Sequence, residues 1–261
     1  MTEAELLFTE VLNCKRLSLY LNKDNLLSDD KAALISDTLR RRISGEPIQY
    51  ILAKTEFMGL EFKVAPDVFI PRPETEILVE TSLKYAKGLK NILDLGTGSG
   101  CIAISLAKNL AQAQIFASDI SNKALSVAKE NARLNKVDIS FFQSDLLETI
   151  DYRLSTIDLI ISNPPYVASE DIDKLQPEIS YEPLIALDGG SDGLGFYRRV
   201  IKEAPNYLKA GGLLIMEMGF KQNSAINNIF ENSGNFKIIE IVKDYNHIDR
   251  VIIAKKLNKY G

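Results

Sequence analysis

The sequence has few of the residues that build metal and disulfide sites. Its 261 residues include one histidine, His247, two cysteines, Cys14 and Cys101, and no tryptophan. Two cysteines do not make a disulfide framework, and so small a set of histidine and cysteine side chains excludes most zinc sites. We therefore expect chemistry that uses no metal, and we expect His247 to lie at the surface without a catalytic role.

Long apolar runs and targeting signals are also missing. No run approaches the roughly 20 apolar residues of a membrane helix, and the opening "MTEAELLFTE" has neither a basic leader nor an apolar signal core. A net charge of −4 argues against a surface built to hold nucleic acid phosphates. These features predict a cytoplasmic protein that is not attached to a membrane.

The first 45 or so residues have a helical pattern. Apolar residues recur at helical spacing over residues 4–12, and Ser28-Asp29-Asp30 favours the start of a helix that ends near Gly45. The "RRR" of Arg40, Arg41 and Arg42 has two interpretations. It could grip a nucleic acid, or it could simply reflect the favourable position of cations at a helix C-terminus.

A β-hairpin is predicted next, over residues 50–64, because β-prone residues surround Met58-Gly59-Leu60. The proline-rich "FIPRPETE" of residues 69–76 follows. We predict three regions: a helical domain at 1–48, a hairpin linker at 49–66 and a larger domain at 67–261.

Beyond residue 91, apolar runs of strand length alternate with helical segments, which predicts a doubly wound α/β sheet. The predicted strands are Ile92–Leu95, Ile115–Ser118, Ile139–Phe142, Ile157–Ile161, Leu213–Met216, Phe236–Val242 and Arg250–Ala254. Only a short polar stretch separates the last two, so we expect them to pair antiparallel at one edge. Ligands in this architecture bind beyond the carboxyl ends of the parallel strands.

The first strand of this sheet runs into a glycine-rich loop, "LDLGTGSG". Glycines there allow a sharp turn and let a ligand approach the backbone. A dinucleotide-binding loop would have its third glycine at position 101, which is Cys101 here, and we expect this cysteine to pack where the loop enters its helix. The candidate cofactor residues of this segment are Asp94, Gly96, Thr97, Gly98, Ser99 and Gly100.

The next two strands also end in polar groups. The carboxylate of Asp119 could accept both hydroxyls of an adenosine ribose, or it could cap the following helix, although Ser121 can fill that role. Asp145 and Leu146, after the third strand, could bracket an adenine edge or be ordinary loop residues. The fourth strand ends in Asn163-Pro164-Pro165-Tyr166.

The order of "LDLGTGSG", "SDIS", "QSDL" and "NPPY" resembles that of class I, Rossmann-like methyltransferases that use S-adenosylmethionine to modify planar amino or amide nitrogens. The wider segments "GEPIQYI", "FIPRPETE", "YEPLIAL" and "GGSDGLGFYRRV" resemble the HemK/PrmC family over nearly the whole chain. This resemblance implies a seven-stranded, mostly parallel sheet with a small helical N-terminal domain, which we expect to be about one helix shorter here than in the family.

The resemblance also implies the reaction. Members of this family methylate the glutamine in the Gly-Gly-Gln loop of class I peptide chain release factors and release S-adenosylhomocysteine. It places that glutamine between the NPPY loop and the segment before the glycine motif. Phe69 and Arg72 then become candidate walls of the active site, Glu74 and Glu76 weaker ones, and Glu182 and Pro183 weaker still. The competing interpretation is that "FIPRPETE" merely links two modules.

The NPPY residues suit this chemistry. A carboxamide nitrogen is a poor nucleophile because its lone pair is delocalised into the carbonyl. If the Asn163 side-chain oxygen and the Pro164 carbonyl accept its two N–H bonds, the nitrogen is held and polarised toward a methyl donor. Pro164 and Pro165 would keep these acceptors aligned, and Tyr166 would stack on the flat amide. The plainer interpretation is a rigid turn after a buried strand.

The sequence leaves three hypotheses about the function. The leading one is a monomeric protein-glutamine methyltransferase with no direct nucleic acid substrate. The second is a methyltransferase of adenine or guanine exocyclic nitrogens in DNA or RNA, which shares the NPPY motif. The third is a nicotinamide oxidoreductase or a non-catalytic nucleotide-binding module, for which the glycine spacing is wrong and the NPPY motif has no purpose.

Overall fold

The computed structural model describes residues 2–21, 27–148 and 157–258. The α-helices in these residues are α1 (Glu3–Leu12), α2 (Arg16–Leu21), α3 (Asp29–Ile43), α4 (Ile48–Leu52), α5 (Pro73–Tyr85), α6 (Cys101–Asn109), α7 (Asn122–Leu134), α8 (Gly195–Glu203) and α9 (Asn223–Ser233). The strands are β1 (Lys54–Phe57), β2 (Leu60–Lys63), β3 (Asn91–Leu95), β4 (Gln114–Asp119), β5 (Ser140–Gln143), β6 (Ile157–Ser162), β7 (Leu208–Glu217), β8 (Phe236–Lys243) and β9 (Asp249–Lys256). No helix among them is long and apolar enough to cross a membrane.

The N-terminal helices form a small module with its own apolar centre. Helix α1 begins with a capping box, in which Thr2 and Glu5 each bond the other's backbone N–H. Leu7, Ile35 and Ile48 are buried against one another and join α1, α3 and α4. The predicted helix from Ser28 to Gly45 is present as α3.

Strands β1 and β2 form the predicted antiparallel hairpin around Met58-Gly59. The hairpin begins later than the sequence suggests, because Tyr50 belongs to α4, where its buried hydroxyl donates to the Val68 carbonyl at 2.6 Å. Asn131 on α7 fastens the other end, donating to the Lys63 carbonyl at 2.9 Å and accepting from the Lys63 N–H at 2.7 Å. The domain boundaries at residues 48 and 66 stay predictions.

The larger sheet has, within the described residues, seven strands in the order β5-β4-β3-β6-β7-β9-β8. The first five are mutually parallel, and β9 is antiparallel to both of its neighbours. The mostly parallel sheet and the antiparallel edge are therefore confirmed. Strand β7 starts earlier than predicted, at Leu208, which pairs with Ile157 across a shift in register.

Both faces of this sheet are covered, as the continuous apolar runs of its central strands require. Helices α5, α6 and α7 contribute to the buried cluster on one face, and α8 and α9 to the cluster on the other. The strand order reverses at β3, whose neighbours β4 and β6 both carry polar residues at their carboxyl ends. This is the place where a doubly wound sheet leaves a crevice for a ligand.

Candidate active site

The glycine-rich loop between β3 and α6 rests on a buried carboxyl group. Asp94 is fully buried and accepts from the Thr97 hydroxyl at 2.6 Å, and burial raises the pKa of Asp94 to about 7. Gly100 closes the loop with φ +84°, and an added Cβ there would lie 3.1 Å from the Ala128 Cβ. Asp94 and Gly100 thus shape the loop from beneath.

The predicted ribose acceptor lies at the end of β4. One carboxylate oxygen of Asp119 accepts from the Gly98 N–H at 2.8 Å and the other from the Ser121 N–H at 2.9 Å. Burial raises the pKa of Asp119 in spite of these bonds. Ser121 is itself the N-cap of α7 and accepts from the Ala124 N–H. Because each carboxylate oxygen has two lone pairs, Asp119 keeps acceptor capacity for hydroxyl groups.

The two candidates after β5 separate in the structure. Leu146 is buried, has a left-handed backbone with φ 54° and lines the cavity described below. Such a conformation is uncommon for a branched apolar residue and concentrates at functional sites. Asp145 pairs with Arg199 at 3.0 Å and does not line the cavity. The two residues are adjacent in sequence, but only Leu146 faces the crevice.

The NPPY segment follows β6 and is held by side chains from distant parts of the chain. The Asn163 amide donates to the Thr75 hydroxyl of α5 at 3.0 Å. Gln222 donates to the Tyr166 carbonyl at 2.9 Å while its oxygen accepts from the Gly219 N–H at 3.0 Å. Burial raises the pKa of the Tyr166 hydroxyl to about 12. Side chains from two other parts of the chain therefore hold the NPPY segment on both sides.

A second glycine-rich segment, residues 189–195, packs directly on the NPPY backbone. The Gly189 N–H donates to the Val167 carbonyl at 2.8 Å. A Cβ on Gly189 would lie 2.8 Å from the Pro165 carbonyl oxygen, so no larger residue fits this approach. In the sequence these glycines belong to the segment "GGSDGLGFYRRV" of the family resemblance, and their spacing alone did not predict this contact.

The "FIPRPETE" segment forms one wall of the crevice. The Arg72 guanidinium lies 4.6 Å from the centre of the Phe69 ring and forms an ion pair with Glu182. The Glu182 carboxylate is buried and also accepts from the Ile70 N–H at 3.1 Å. Burial raises the pKa of Glu182, although Arg72 and the Ile70 N–H oppose that shift. Glu182 thus fixes the wall from behind, and Pro183 lines the cavity itself.

The weaker candidates have other surroundings. Glu76 accepts from the Met58 N–H at 2.6 Å and so ties α5 to the hairpin turn. Neither Glu74 nor Glu76 lines the cavity. His247 is an exposed turn residue, and Cys101 is buried at the start of α6, where burial raises the pKa of its thiol to about 12.

These elements enclose a cavity of about 300 Å³, a size typical of small-molecule sites. The predicted residues that line it are Phe69, Arg72, Gly96, Thr97, Gly98, Ser99, Asp119, Leu146, Asn163, Pro164, Pro165 and Tyr166. Lining residues that the sequence analysis missed include Val68, Thr75, Ile120 and Phe196. Their apolar or hydroxyl side chains gave no signal, because helical and strand cores contain the same residue types.

The residues present fit S-adenosylmethionine. The carboxylate of Asp119 has acceptor capacity that suits ribose hydroxyls, and Ile120 and Leu146 line the same cavity with apolar side chains that suit a base. An added Cβ on Gly96 or Gly98 would have no neighbour within 4 Å, so the loop faces open space where a ligand can approach its backbone. The fold and site together define a class I methyltransferase.

Similarity to known protein families and solved structures supports the assignment to this class. Residues 62–179 match the family model described as methyltransferase small domain, and residues 1–52 match the PrmC N-terminal domain. A solved methyltransferase from Pyrococcus furiosus has a TM-score of 0.59 at 19% identity, covering 88% of this chain and 100% of its own. A 16S rRNA methyltransferase from T. thermophilus, solved with AdoMet and guanosine, has a TM-score of 0.55 at 18% identity, covering 78% of this chain and 49% of its own. At these identities the two structures establish a shared fold.

Relatives of much higher identity define the family. A release factor glutamine methyltransferase from Geobacter sulfurreducens is 43% identical over 96% of this chain and 87% of its own length. One from Thermodesulfovibrio yellowstonii is 44% identical over 97% of this chain and 92% of its own. The chain belongs to the release factor glutamine methyltransferases, and the predicted S-adenosylmethionine-dependent activity is confirmed at the level of this family.

Proposed function

We propose that this protein methylates the side-chain amide nitrogen of the glutamine in the Gly-Gly-Gln loop of class I peptide chain release factors. The observation that carries the proposal is the position of Asn163. Its amide group lines the cavity and donates to Thr75, while Pro164 follows it in the same wall. An asparagine oxygen and a main-chain carbonyl at this point match the two N–H groups of a carboxamide.

The cofactor half of the cavity is proposed to hold S-adenosylmethionine, which supplies an electrophilic methyl group when bound. Asp119 would accept hydrogen bonds from the ribose hydroxyls. Leu146 would contact the base, and residues 96–99 would let the amino acid portion approach the backbone. Asp94 and Gly100 would act indirectly, by fixing the shape of the loop.

The substrate half is proposed to hold the glutamine amide against a rigid surface. Asn163 and the Pro164 carbonyl would restrain its two N–H groups, and the Tyr166 ring would stack on its plane. Phe69 and Arg72 would close the opposite side, with Glu182 keeping Arg72 in place. Preorganised acceptors of this kind lower the cost of orienting a weak nucleophile.

The arginines near the end of α3 support a protein substrate over DNA or RNA. The three consecutive arginines near the end of α3 are paired with acidic side chains: Arg40 with Asp37, Arg41 with Glu46, and Arg42 with both Glu3 and Glu178. Cations already neutralised in this way offer little attraction to phosphates. The net charge of −4 points in the same direction.

We propose that the enzyme works as a monomer. A cytoplasmic site of action follows from a substrate that takes part in translation. Analytical ultracentrifugation of the active enzyme with its cofactor tests the first point, and an active species sedimenting as a dimer would contradict it.

The experiment on function uses a purified class I release factor and labelled S-adenosylmethionine. We expect one methyl group at the Gly-Gly-Gln glutamine, located by mass spectrometry of the factor's peptides. A factor in which this glutamine is replaced by glutamate should react at least about 10⁴-fold more slowly, because a carboxylate has no N–H for the two acceptors. Label that enters an RNA or DNA oligonucleotide in preference to the factor would support the nucleic acid alternative.

A further inference from the structure

A buried chain of three side chains lies behind the NPPY loop. Glu217 is the last residue of β7 and Thr75 lies in the first turn of α5, and each is 2% exposed. The Thr75 hydroxyl lies beside the Glu217 carboxyl group, whose pKa it lowers as a hydrogen-bond donor. The Thr75 oxygen in turn accepts from the Asn163 amide nitrogen at 3.0 Å.

The direction of these bonds follows from the groups themselves. A hydroxyl has one proton to donate, and an ionised carboxylate can only accept. Once the Thr75 proton is directed to Glu217, only lone pairs remain on the side of the Thr75 oxygen that faces Asn163. The amide group of Asn163 must then present its nitrogen to Thr75.

This orientation determines what the cavity receives. An asparagine amide has its oxygen and nitrogen on opposite sides of one carbon, so fixing Nδ2 on Thr75 directs Oδ1 away from Thr75. Asn163 lines the cavity, and Oδ1 is therefore available there as an acceptor. An amide rotated by 180° would offer donors to the same space and would repel the N–H groups of a carboxamide.

We infer that Thr75 and Glu217 are positioning residues, which orient the Asn163 amide so that its oxygen accepts from the amide of the methyl acceptor. The inference rests on the proposed function. It adds the residues that decide whether Asn163 presents its side-chain oxygen or its side-chain nitrogen to the cavity. Neither residue needs to touch the glutamine or take part in proton transfer.

The surroundings of Glu217 support this role. Its second oxygen, Oε2, is buried and has no hydrogen-bond partner among the described residues. Arg250 is close enough to attract the carboxylate, but its Nε is bonded to Asp244 at 2.8 Å. A buried carboxylate that is only partly satisfied costs stability, and such costs concentrate at functional sites.

The test compares three variants on a release factor at pH 8, where the carboxylate is ionised. Thr75→Val keeps the shape of the side chain and removes its hydroxyl, and we expect kcat to fall at least about tenfold, as for loss of one preorganised polar group. Thr75→Ser keeps the hydroxyl and should stay within about threefold of the wild type. Thr81→Val changes another buried threonine of α5, outside the cavity lining, and should leave kcat unchanged.

Two further measurements separate positioning from general damage. The Kd for S-adenosylmethionine, measured by calorimetry, should change less than about threefold in Thr75→Val. With ¹⁵N-labelled asparagine, the side-chain amide signal of Asn163, assigned by its loss in Asn163→Ala, should exchange with water faster in Thr75→Val than in the wild type. A threonine that only packs in the core would leave this signal unchanged.

Thr75→Val leaves the buried Glu217 carboxylate without a neighbouring hydroxyl group, and this variant could fail to fold. The double variant Thr75→Val/Glu217→Gln is therefore measured as well. It removes the charge but still lacks the hydroxyl, and we expect it to keep the low kcat. Full activity in either folded variant, or loss of activity in Thr75→Ser as severe as in Thr75→Val, would overturn the inference. A wild-type enzyme that does not modify the release factor would instead overturn the proposed function.

Discussion

Gly193 lies directly against the carbonyl group of Tyr166. A Cβ added at Gly193 would lie 2.3 Å from that oxygen and 2.8 Å from the Gln222 amide nitrogen. The contact brings the second glycine-rich segment onto the backbone of the NPPY loop. Two segments separated by more than twenty residues therefore share one rigid wall.

Gly193→Ala should displace the NPPY backbone, because the clash is with a main-chain atom that cannot rotate away. We expect turnover on the release factor to fall at least about tenfold. Gly190→Ala is the matched control: Gly190 also has a positive φ, +89°, but its added Cβ meets nothing within 4 Å. Both variants carry the backbone strain of about 1 kcal/mol, which thermal unfolding measures, and only Gly193→Ala adds the clash. Equal turnover in the two variants would contradict this account.

Asp119→Ala should weaken the binding of S-adenosylmethionine. Loss of charge-assisted hydrogen bonds of about 1.5–3 kcal/mol corresponds to a Kd roughly ten- to a hundredfold higher. Isothermal titration calorimetry measures this change, and the exposed Asp138→Ala serves as control for loss of a negative charge. An unchanged Kd in folded Asp119→Ala would show that the nucleoside binds elsewhere.

Asn163→Ala should leave cofactor binding nearly intact and lower turnover on the order of a hundredfold or more, since it removes an acceptor at the reacting centre. Asn163→Asp should also lose activity, because an aspartate has no N–H for the Thr75 oxygen. Single-turnover kinetics with saturating cofactor separate the chemical step from binding. Wild-type turnover in Asn163→Ala would remove the NPPY loop from the mechanism.

The stability of the ligand-free protein should fall as the pH rises from 6 to 8. Burial raises the pKa values of both Asp94 and Glu217 to about 7, from the ordinary values of 3.8 and 4.5 for these side chains. The folded state therefore holds protons that the unfolded chain releases, and this contribution is lost as the pH rises through about 7. The expected decrease in the free energy of unfolding is about 1 kcal/mol for each group.

Urea denaturation at the two pH values measures this decrease. Asp94→Asn and Glu217→Gln should each reduce it by about 1 kcal/mol, because each takes away one of the two carboxyl groups whose pKa is raised to about 7. A pH dependence in the double variant Asp94→Asn/Glu217→Gln as large as that of the wild type would contradict the assignment.

The sequence alone determined the features that depend on local pattern. Apolar runs such as Ile157–Ser162 are buried on both faces of a sheet, so their composition predicts a strand without knowledge of its neighbours. Polar residues at the ends of β3, β4 and β6 could be placed on one edge of the sheet, because parallel strands in this architecture share a direction. The positions of Gly98, Asp119 and Asn163 in the sequence therefore predict that they lie close together.

Tertiary structure decided which side chains face the cavity. Asp145 and Leu146 are equivalent by sequence, yet Arg199 from α8 draws the aspartate away while a left-handed backbone directs the leucine inward. Likewise, the roles of Thr75 and Glu217 arise only where α5 and β7 meet behind Asn163. Hydrogen-bond direction and burial are properties of groups in contact, and the bond between Asn163 and Thr75 joins residues that are 88 positions apart in the chain.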